Sequence, residues 1–261
     1  MPIWPFTRRS GISAISPDIP LCALPRPLDL DQIKRALVFA PHPDDETLGC
    51  GGTIAQLAGR CAVKVVLVTD GSGAGELPPG TVEKRHAEFV AALARLGVLN
   101  HEALDQPDGA FAENQALGNR VRKIIADFKP DYVFLPAPVD YHRDHLRIAE
   151  FLTPLCRQSL SVEFLVHYEV WAPIPATHVV DITDQWEQKM AALSEHLTAM
   201  ACGDYKEAIR GLNRYRGLYI GRNRMAEAFM VEPTNQPSLF SKLLDCSLRI
   251  IQSIGGLSHN K

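Results

Sequence analysis

The chain has 261 residues, with 27 Lys or Arg against 30 Asp or Glu, and a formal net charge of −3 at pH 7. This balance argues against a basic nucleic-acid-binding protein, and no apolar stretch reaches the roughly 18 residues of a membrane-spanning helix. The six cysteines lack CxxC spacing, which disfavours a disulfide framework and a cysteine zinc site and predicts a cytoplasmic location.

Strands and helices alternate from residue 35 onward. Strands are predicted over residues 36–40, 63–69, 132–135 and 162–168, with a weaker one near residue 103. Helices are predicted over residues 51–58, 81–96, 117–128, 145–156 and 184–200. Repeated β-then-α order with apolar strands indicates one αβα domain whose mostly parallel sheet is covered on both faces.

We divide the chain into three parts. Residues 1–34 form an N-terminal extension, residues 35–232 form the αβα domain, and residues 233–261 form an amphipathic tail. The apolar residues of the tail recur at helical spacing, so we expect it to pack against the domain. The alternative is peripheral contact with a membrane surface.

Two polar clusters follow predicted strands. One is PHPDDE at residues 41–46, and the other is DYHRDH at residues 140–145. Ligands of open α/β sheets bind beyond the carboxyl ends of the strands, where the strand order reverses. In the common order 3-2-1-4-5, the first and fourth strands are neighbours, so the two clusters are expected to face each other in one cleft. The glycines at 49, 51 and 52 predict close packing of the following helix.

Imidazole and carboxylate side chains in one cleft favour zinc, with Fe²⁺ as an alternative. His42, Asp45 and His145 can supply the three protein ligands that a catalytic zinc needs. Asp44 is placed to act as general base, and His142 to protonate a leaving nitrogen or stabilise an oxyanion. The pattern predicts metal-assisted hydrolysis of an amide.

Two further interpretations concern the acidic residues of these clusters. Asp144 is placed to orient a histidine from behind. Residues 44–46 have a plainer alternative, as a solvated acidic cap on the helix that follows them. The second cluster makes this alternative the less favoured one.

The strings PHPDDETLGCGG and DYHRDH resemble the PIG-L / LmbE-like zinc-dependent N-deacetylases, which remove acetyl groups from N-acetylglucosaminyl conjugates. The resemblance extends from about residue 35 to about residue 229 and includes Lys189 and His196. It implies a Rossmann-like fold, the same three ligands, Asp44 as base, and His142 as the residue that assists the tetrahedral intermediate. Thr198-Ala199 stands where many members carry Ser-Gln, which points to a different substrate.

Three residues are candidate substrate contacts. Arg85 and Glu88 lie three apart on one predicted helix, so they either pair at the surface or, as the resemblance implies, line the sugar pocket. Asp108 is either a turn former or a substrate contact. The arginine-rich residues 210–224 are interpreted as a solvated surface, with a rim for an anionic substrate as the less favoured alternative.

Taken together, these features predict a cytoplasmic, metal-dependent hydrolase that removes the N-acetyl group from an N-acetylglucosamine-type conjugate, with no nucleic-acid partner. Two alternatives stay open. One is a related amidase that acts on a non-acetyl amide, and the other is a non-catalytic protein that binds a sugar or nucleotide.

Overall fold

The computed structural model describes residues 24–73 and 77–236; residues 1–23 and the tail beyond residue 236 lie outside this description. The strands are β1 (Arg26–Pro27), β2 (Arg35–Ala40), β3 (Ala62–Thr69), β4 (His101–Gln106), β5 (Tyr132–Pro136), β6 (Phe164–Tyr168), β7 (His178–Asp181) and β8 (Ala226–Pro233). The helices are α1 (Asp45–Ala58), α2 (Thr81–Arg95), α3 (Gln115–Phe128), α4 (Arg143–Arg157), α5 (Trp186–Leu193), α6 (Leu197–Met200) and α7 (Tyr205–Gly217).

All eight of these strands form one sheet in the order β1-β7-β8-β6-β5-β2-β3-β4. Neighbouring strands are parallel except at β8, which runs antiparallel to both β6 and β7. The run β4-β3-β2-β5-β6 has the predicted order 3-2-1-4-5. The strand order therefore reverses between β2 and β5, where Val38 pairs with Phe134, and the predicted αβα fold is confirmed.

The central strands are buried on both faces, which explains why they are almost wholly apolar. Along β2, Ala36 and Val38 pack into a core with α1, α2 and α5 on one face. Leu37 and Phe39 pack into a second core with α3 and α4 on the other face. This alternation follows from the two-residue period of a strand.

Several elements differ from the sequence-based predictions. Helix α1 begins at Asp45 rather than at residue 51, and α7, β7 and β8 were not predicted. The single helix predicted over residues 184–200 is wrong, because α5 ends at Leu193 and α6 begins at Leu197. Strand β1 pairs with β7, so the sheet extends into the segment predicted as an N-terminal extension. In residues 24–73 and 77–236, no helix is long and apolar enough to cross a membrane.

The glycines after residue 48 allow α1 to pack closely on its neighbours, as predicted. A Cβ atom at Gly49 would lie 2.3 Å from Cδ2 of Tyr168, and one at Gly52 would lie 2.7 Å from Cβ of Ile182. Tyr168 itself is fixed by its hydroxyl, which donates to the carbonyl of Phe39 at 2.7 Å. The start of α1 is therefore held tightly over the end of β2.

Helix α1 is interrupted at Cys50, whose backbone angles (φ −146°, ψ 23°) are not helical. In an uninterrupted helix the N–H of Gly52 would donate to the carbonyl of Leu48. Here the N–H groups of Gly52 and Thr53 donate instead to the Glu227 carboxylate, at 2.9 and 2.7 Å. Glu227 thus caps the second segment of α1 at its positive end.

Lys189 satisfies the groups left over at this interruption. Its Nζ donates to the Leu48 carbonyl at 2.8 Å, to Glu227 Oε1 at 2.6 Å and to Asn213 Oδ1 at 3.0 Å. Lys189, Asn213 and Glu227 are all buried, and we call them the Lys189 cluster. Since an ammonium group has three donors, every donor of Lys189 is used.

Candidate metal centre

The two polar clusters meet at the carboxyl ends of β2 and β5, as the strand order predicted. His42 precedes α1, Asp45 is the first residue of α1, and His145 lies in the first turn of α4. His42 Nδ1 lies 3.1 Å from Asp45 Oδ2 and 3.2 Å from His145 Nε2, and His145 Nε2 lies 3.0 Å from Asp45 Oδ2. All three side chains are buried, so three ligand atoms form one compact triangle.

The outer nitrogens of both imidazoles face carboxylates. His42 Nε2 lies 3.1 Å from Asp108 Oδ1 and 3.5 Å from Asp144 Oδ2. His145 Nδ1 lies 3.2 Å from Asp140 Oδ2. Such carboxylates fix the tautomer and the orientation of ligand histidines. The role predicted for Asp144, orienting a histidine, has this geometry, and the same rule would have identified Asp140.

A second grouping of ligand atoms shares His42. His42, Asp108 and Asp144 bring three such atoms within 4.8 Å of one another. In that grouping, Asp108 also accepts the N–H of Gly73 at 2.9 Å and Asp144 the N–H of Gly109 at 2.7 Å. Because these carboxylates already hold backbone groups, we regard them as supports for His42.

The charge of the site favours a cation. Burial alone would lower the pKa of His145, but Asp45 and Asp140 together raise it to about 9. Burial likewise opposes protonation of His42, and the carboxylates of Asp108, Asp144 and Asp45 outweigh it, so its pKa lies well above the usual range. Buried carboxylates in excess over fixed cations are what a metal ion neutralises.

Asp44 is a buried carboxylate beside this triangle. Its φ of 153° falls where residues other than glycine are rarely found, and its side chain does not cap α1. Burial and the neighbouring Asp45 raise its pKa to about 7, against the opposing charges of His196 and Arg85. Asp44, Asp45 and Glu46 are all buried, so the alternative of a solvated acidic cap is wrong.

His142 is half-buried at the mouth of the triangle. Its ring centroid lies 4.6 Å from that of His42 and 4.9 Å from that of His145. Its Nδ1 accepts the N–H of Asp144 at 3.3 Å, and its own backbone N–H donates to Asp140 Oδ1 at 2.8 Å. Because Nδ1 accepts a hydrogen bond at the start of α4, the neutral ring carries its proton on Nε2.

Arg85 and Asp108 line the cleft from the β3 and β4 side. Arg85 Nη2 lies 3.8 Å from Asp44 Oδ2, Arg85 Nη1 lies 3.6 Å from Asp108 Oδ2, and Nη1 donates to the Gly71 carbonyl at 2.8 Å. Arg85 thus faces Asp44 and Asp108, and Asp108 lies in a turn, as one of its two interpretations predicted, while its side chain also faces His42. A contact from either to a substrate stays a prediction.

Glu88 has a different neighbour. Its two oxygens accept the N–H of Thr198 at 3.2 and 3.0 Å, and Oε1 also accepts the Thr198 hydroxyl at 3.0 Å. Glu88 therefore ties α2 to the start of α6. A direct contact from Glu88 to a substrate stays a prediction.

His196 is a site residue for which sequence reasoning assigned no role. It lies in the break between α5 and α6, and its Nε2 is 3.2 Å from Thr47 Oγ1 and 3.3 Å from Glu46 Oε1. Thr47 Oγ1 donates to Glu46 Oε1 at 2.6 Å. Glu88, Thr198 and His196 thus form a brace that holds the first turn of α1, next to Asp44. The break in the predicted helix is what allows His196 to turn inward.

The unpartnered polar atoms gather in the same place. Among the described residues, the buried side-chain nitrogens and oxygens without a well-directed hydrogen bond are His42 Nε2, Glu46 Oε2, Arg85 Nε and His196 Nδ1. Buried polar atoms are normally satisfied, so those that are not call for an explanation. Because these atoms lie near the triangle, they favour a binding or catalytic role for this region over a purely structural one.

The arginine-rich residues 210–224 are mostly exposed, and several of their side chains have polar partners within the protein. Arg216 is buried and donates twice to the Glu169 carboxylate, at 2.9 and 2.6 Å. Arg214 donates to Asn223 at 2.7 Å, and Arg224 lies 3.3 Å from Asp181. These contacts favour the interpretation as a mixed surface over that as an anion-binding rim.

Comparison with known proteins agrees with this site. Residues 37–156 match the model of the PIG-L family, described as GlcNAc-PI de-N-acetylase. A 1D-myo-inositol 2-acetamido-2-deoxy-alpha-D-glucopyranoside deacetylase of Kineococcus radiotolerans is 28% identical over 159 residues. That match covers 46% of this chain and 44% of the relative, so the chain spans less than half of that protein.

Two solved structures share the fold over most of the chain. The N,N'-diacetylchitobiose deacetylase of Pyrococcus horikoshii is 25% identical with a TM-score of 0.70, covering 83% of this chain and 90% of that one. The conserved protein TT1542 of Thermus thermophilus is 30% identical with a TM-score of 0.65, covering 75% of this chain and 93% of that one. The strand order and these two structures agree with the match of residues 37–156 to the PIG-L family.

Proposed function

We propose that the protein is a zinc-dependent hydrolase that removes the acetyl group from the nitrogen of an N-acetylglucosamine-type conjugate. The observation that carries this proposal is the triangle of His42, Asp45 and His145 with the buried carboxylate of Asp44 beside it. The names of two relatives support the substrate class, since one acts on an acetamido sugar joined to inositol and the other on diacetylchitobiose.

The triangle fits a zinc ion. Four ligands around zinc at bond lengths near 2.0–2.1 Å are separated by about 3.3 Å when the geometry is tetrahedral. The three ligand atoms here lie 3.0–3.2 Å apart, and a small outward movement would admit the ion. When bound, zinc polarises the acetyl carbonyl and lowers the pKa of water. Fe²⁺ accepts similar ligands, so metal content is measured alongside activity.

The residues of the chain supply the proton transfers. Asp44 would accept a proton from the attacking water and later deliver it to the departing amine. His142 would donate from Nε2 to the oxygen that gains negative charge in the tetrahedral intermediate. Asp108 and Asp144 hold His42, and Asp140 holds His145, so the ligands are oriented before the substrate arrives.

Arg85 and Asp108 would bind sugar hydroxyl groups. Arg85 Nη2 lies 3.8 Å from Asp44 Oδ2, and Arg85 Nη1 lies 3.6 Å from Asp108 Oδ2. A guanidinium donor beside a carboxylate acceptor can bind two neighbouring hydroxyls at once. This arrangement supports a sugar rather than an extended peptide as the substrate.

The test is acetate release by zinc-loaded protein from N-acetylglucosaminyl conjugates. Asp44→Asn should lower kcat by about 10²–10⁴-fold with metal content unchanged. Asp127→Asn, which changes an exposed aspartate on α3, is the matched control and should retain full activity. Full activity of Asp44→Asn would refute the assigned base.

The two alternatives give different results in the same assay. An amidase for another acyl group would release no acetate, and mass analysis of its products on other N-acyl sugars would show the group removed. A binding protein would give heat on titration with a conjugate and no product with any acyl group. Either result would refute the deacetylase proposal.

A further inference from the structure

The cleft has a second wall that the proposed chemistry does not use. Trp171 lies in the loop between β6 and β7, and Tyr205 is the first residue of α7. Their ring centroids are 5.7 Å apart at an interplanar angle of 76°. Trp171 is 45% exposed, although an aromatic residue of this size is highly buried on average. We call these two residues the aromatic wall.

The aromatic wall is attached to the metal centre. The N–H of Trp171 donates to Asp140 Oδ2 at 3.4 Å, and the same oxygen lies 3.2 Å from His145 Nδ1. Tyr205 joins this arrangement through the contact of its ring with that of Trp171. The wall therefore stands beside the triangle rather than on a distant surface.

The loop that carries Trp171 is fixed from behind. Glu169 Oε2 accepts the N–H of Ile174 at 3.0 Å, and Arg216 Nη2 donates to the Ile174 carbonyl at 3.0 Å. Glu169 and Arg216 are both buried and paired with each other. A surface held in place before binding loses little freedom when a ligand docks on it.

The strand order places the two walls on opposite sides of the triangle. Arg85 and Asp108 follow β3 and β4, whereas Trp171 follows β6, and the ligands lie between them at the β2–β5 boundary. A sugar held at Arg85 and Asp108 with its acetamido group at the metal would extend its attached group toward Trp171. Aromatic rings suit the C–H face of a second ring, because that face is apolar.

Resting on the proposed function, we propose that Trp171 and Tyr205 form a subsite for a ring attached to the N-acetylglucosamine. The substrate class is then a conjugate in which the acetylated sugar is joined to a second pyranose or to a cyclitol. A free monosaccharide would leave the aromatic wall uncovered. A flexible acyl chain lacks the rigid, flat face that the two rings match.

The first test compares kcat/KM for free N-acetylglucosamine, diacetylchitobiose and N-acetylglucosaminyl inositol. Trp171→Ala should lower kcat/KM for the two ring-bearing conjugates by about tenfold and leave that for the monosaccharide within about twofold. Trp171→Phe should keep most of the preference, and the ratio between the two conjugates shows which ring is preferred. Tyr215→Ala, which removes an exposed tyrosine of α7, is the matched control. An equal loss on all three substrates, or no loss, would overturn the subsite.

A binding measurement separates this inference from the proposed function. The Asp44→Asn protein is titrated with diacetylchitobiose and with N-acetylglucosamine while tryptophan fluorescence is followed. We expect the disaccharide to bind about tenfold more tightly and to change the emission, with both effects lost in Asp44→Asn/Trp171→Ala. If wild-type protein releases no acetate but this difference persists, the deacetylase proposal fails and the subsite stands. Equal affinity for the two sugars would refute the subsite.

Discussion

Helix α1 carries a buried polar cluster at each of two points, and the two differ in how completely they are satisfied. At the Cys50 interruption, the Lys189 cluster uses all three ammonium donors and both carboxylate oxygens of Glu227. At the N-terminus of the same helix, the metal triangle is surrounded by buried atoms without well-directed hydrogen bonds, and Asp44 has an unfavourable backbone conformation.

We interpret this difference as the one between a structural cluster and the proposed functional site. Burial and charge do not distinguish them, since both contain fully buried ionisable groups. In the Lys189 cluster, the ammonium group and both carboxylate oxygens of Glu227 already have hydrogen-bond partners within the protein. The metal triangle has unused hydrogen-bonding capacity and strain, which persist at active sites because the surrounding fold enforces them. Substitutions in the two clusters should therefore have opposite effects on stability and activity.

The largest effect on stability is expected from Lys189→Met. Removing the ammonium group leaves Glu227 buried and charged, and breaking a buried ion pair in this way costs about 3–5 kcal/mol. The free energy of unfolding, measured with urea on metal-free protein, should fall by that amount. Lys123→Met removes one partner of an exposed pair with Asp127 at 2.7 Å and should leave the free energy of unfolding nearly unchanged, because solvent screens such pairs.

The double variant Lys189→Met/Glu227→Gln sharpens the result. It removes both charges, so it should be more stable than Lys189→Met alone. A Lys189→Met protein as stable as wild type would show that the cluster does not hold the interruption of α1 in place.

Asp44→Gly should change stability in the opposite direction. Glycine adopts a φ of 153° without the steric cost that aspartate bears, and relief of such strain amounts to about 1–3 kcal/mol. Activity should fall as far as in Asp44→Asn, while the free energy of unfolding of metal-free protein rises. Asp44→Asn removes the charge and keeps the side chain, so it serves as the reference for the loss of charge alone. A less stable Asp44→Gly protein would contradict the idea that Asp44 is held under strain.

The sequence was sufficient to bring His42, Asp45 and His145 together, because their proximity follows from topology. Once β2 and β5 are neighbours in a parallel sheet, the residues after each strand meet at one edge. His42 and His145 are 103 positions apart in the chain and 3.2 Å apart in space. Local motifs combined with strand order predict a site of this kind well.

The sequence was insufficient where one long-range contact overrides a local pattern. Leu193, Leu197 and Met200 continue a helical period, yet the chain breaks between α5 and α6 so that His196 can reach Glu46 and Thr47. The Lys189–Glu227 pair was not predicted for a similar reason, because the residues that flank each of them in the sequence do not indicate a buried charge. Such contacts depend on which side chains the completed core brings together.

The smallest effect tests whether the brace from Glu88 through Thr198 to His196 serves the metal triangle or only the fold. Thr198→Val keeps the shape of the side chain and removes the hydroxyl that donates to Glu88 at 3.0 Å. Loss of one hydrogen bond to a charged group costs about 1.5–3 kcal/mol at most. If the brace positions Asp44, part of that cost should appear as a drop of about 3–10-fold in kcat with KM unchanged.

Thr198→Ser retains the hydroxyl and should restore kcat, which a purely steric role for the methyl group would not allow. His196→Gln should resemble Thr198→Val, because it weakens the same brace at its other end. If Thr198→Val lowers the free energy of unfolding but leaves kcat unchanged, the brace belongs with the Lys189 cluster as a structural feature. If kcat falls in Thr198→Val and recovers in Thr198→Ser, the position of the Asp44 side chain depends on the hydrogen bond between Glu88 and Thr198. Glu88 on α2 would then contribute to activity as a positioning residue.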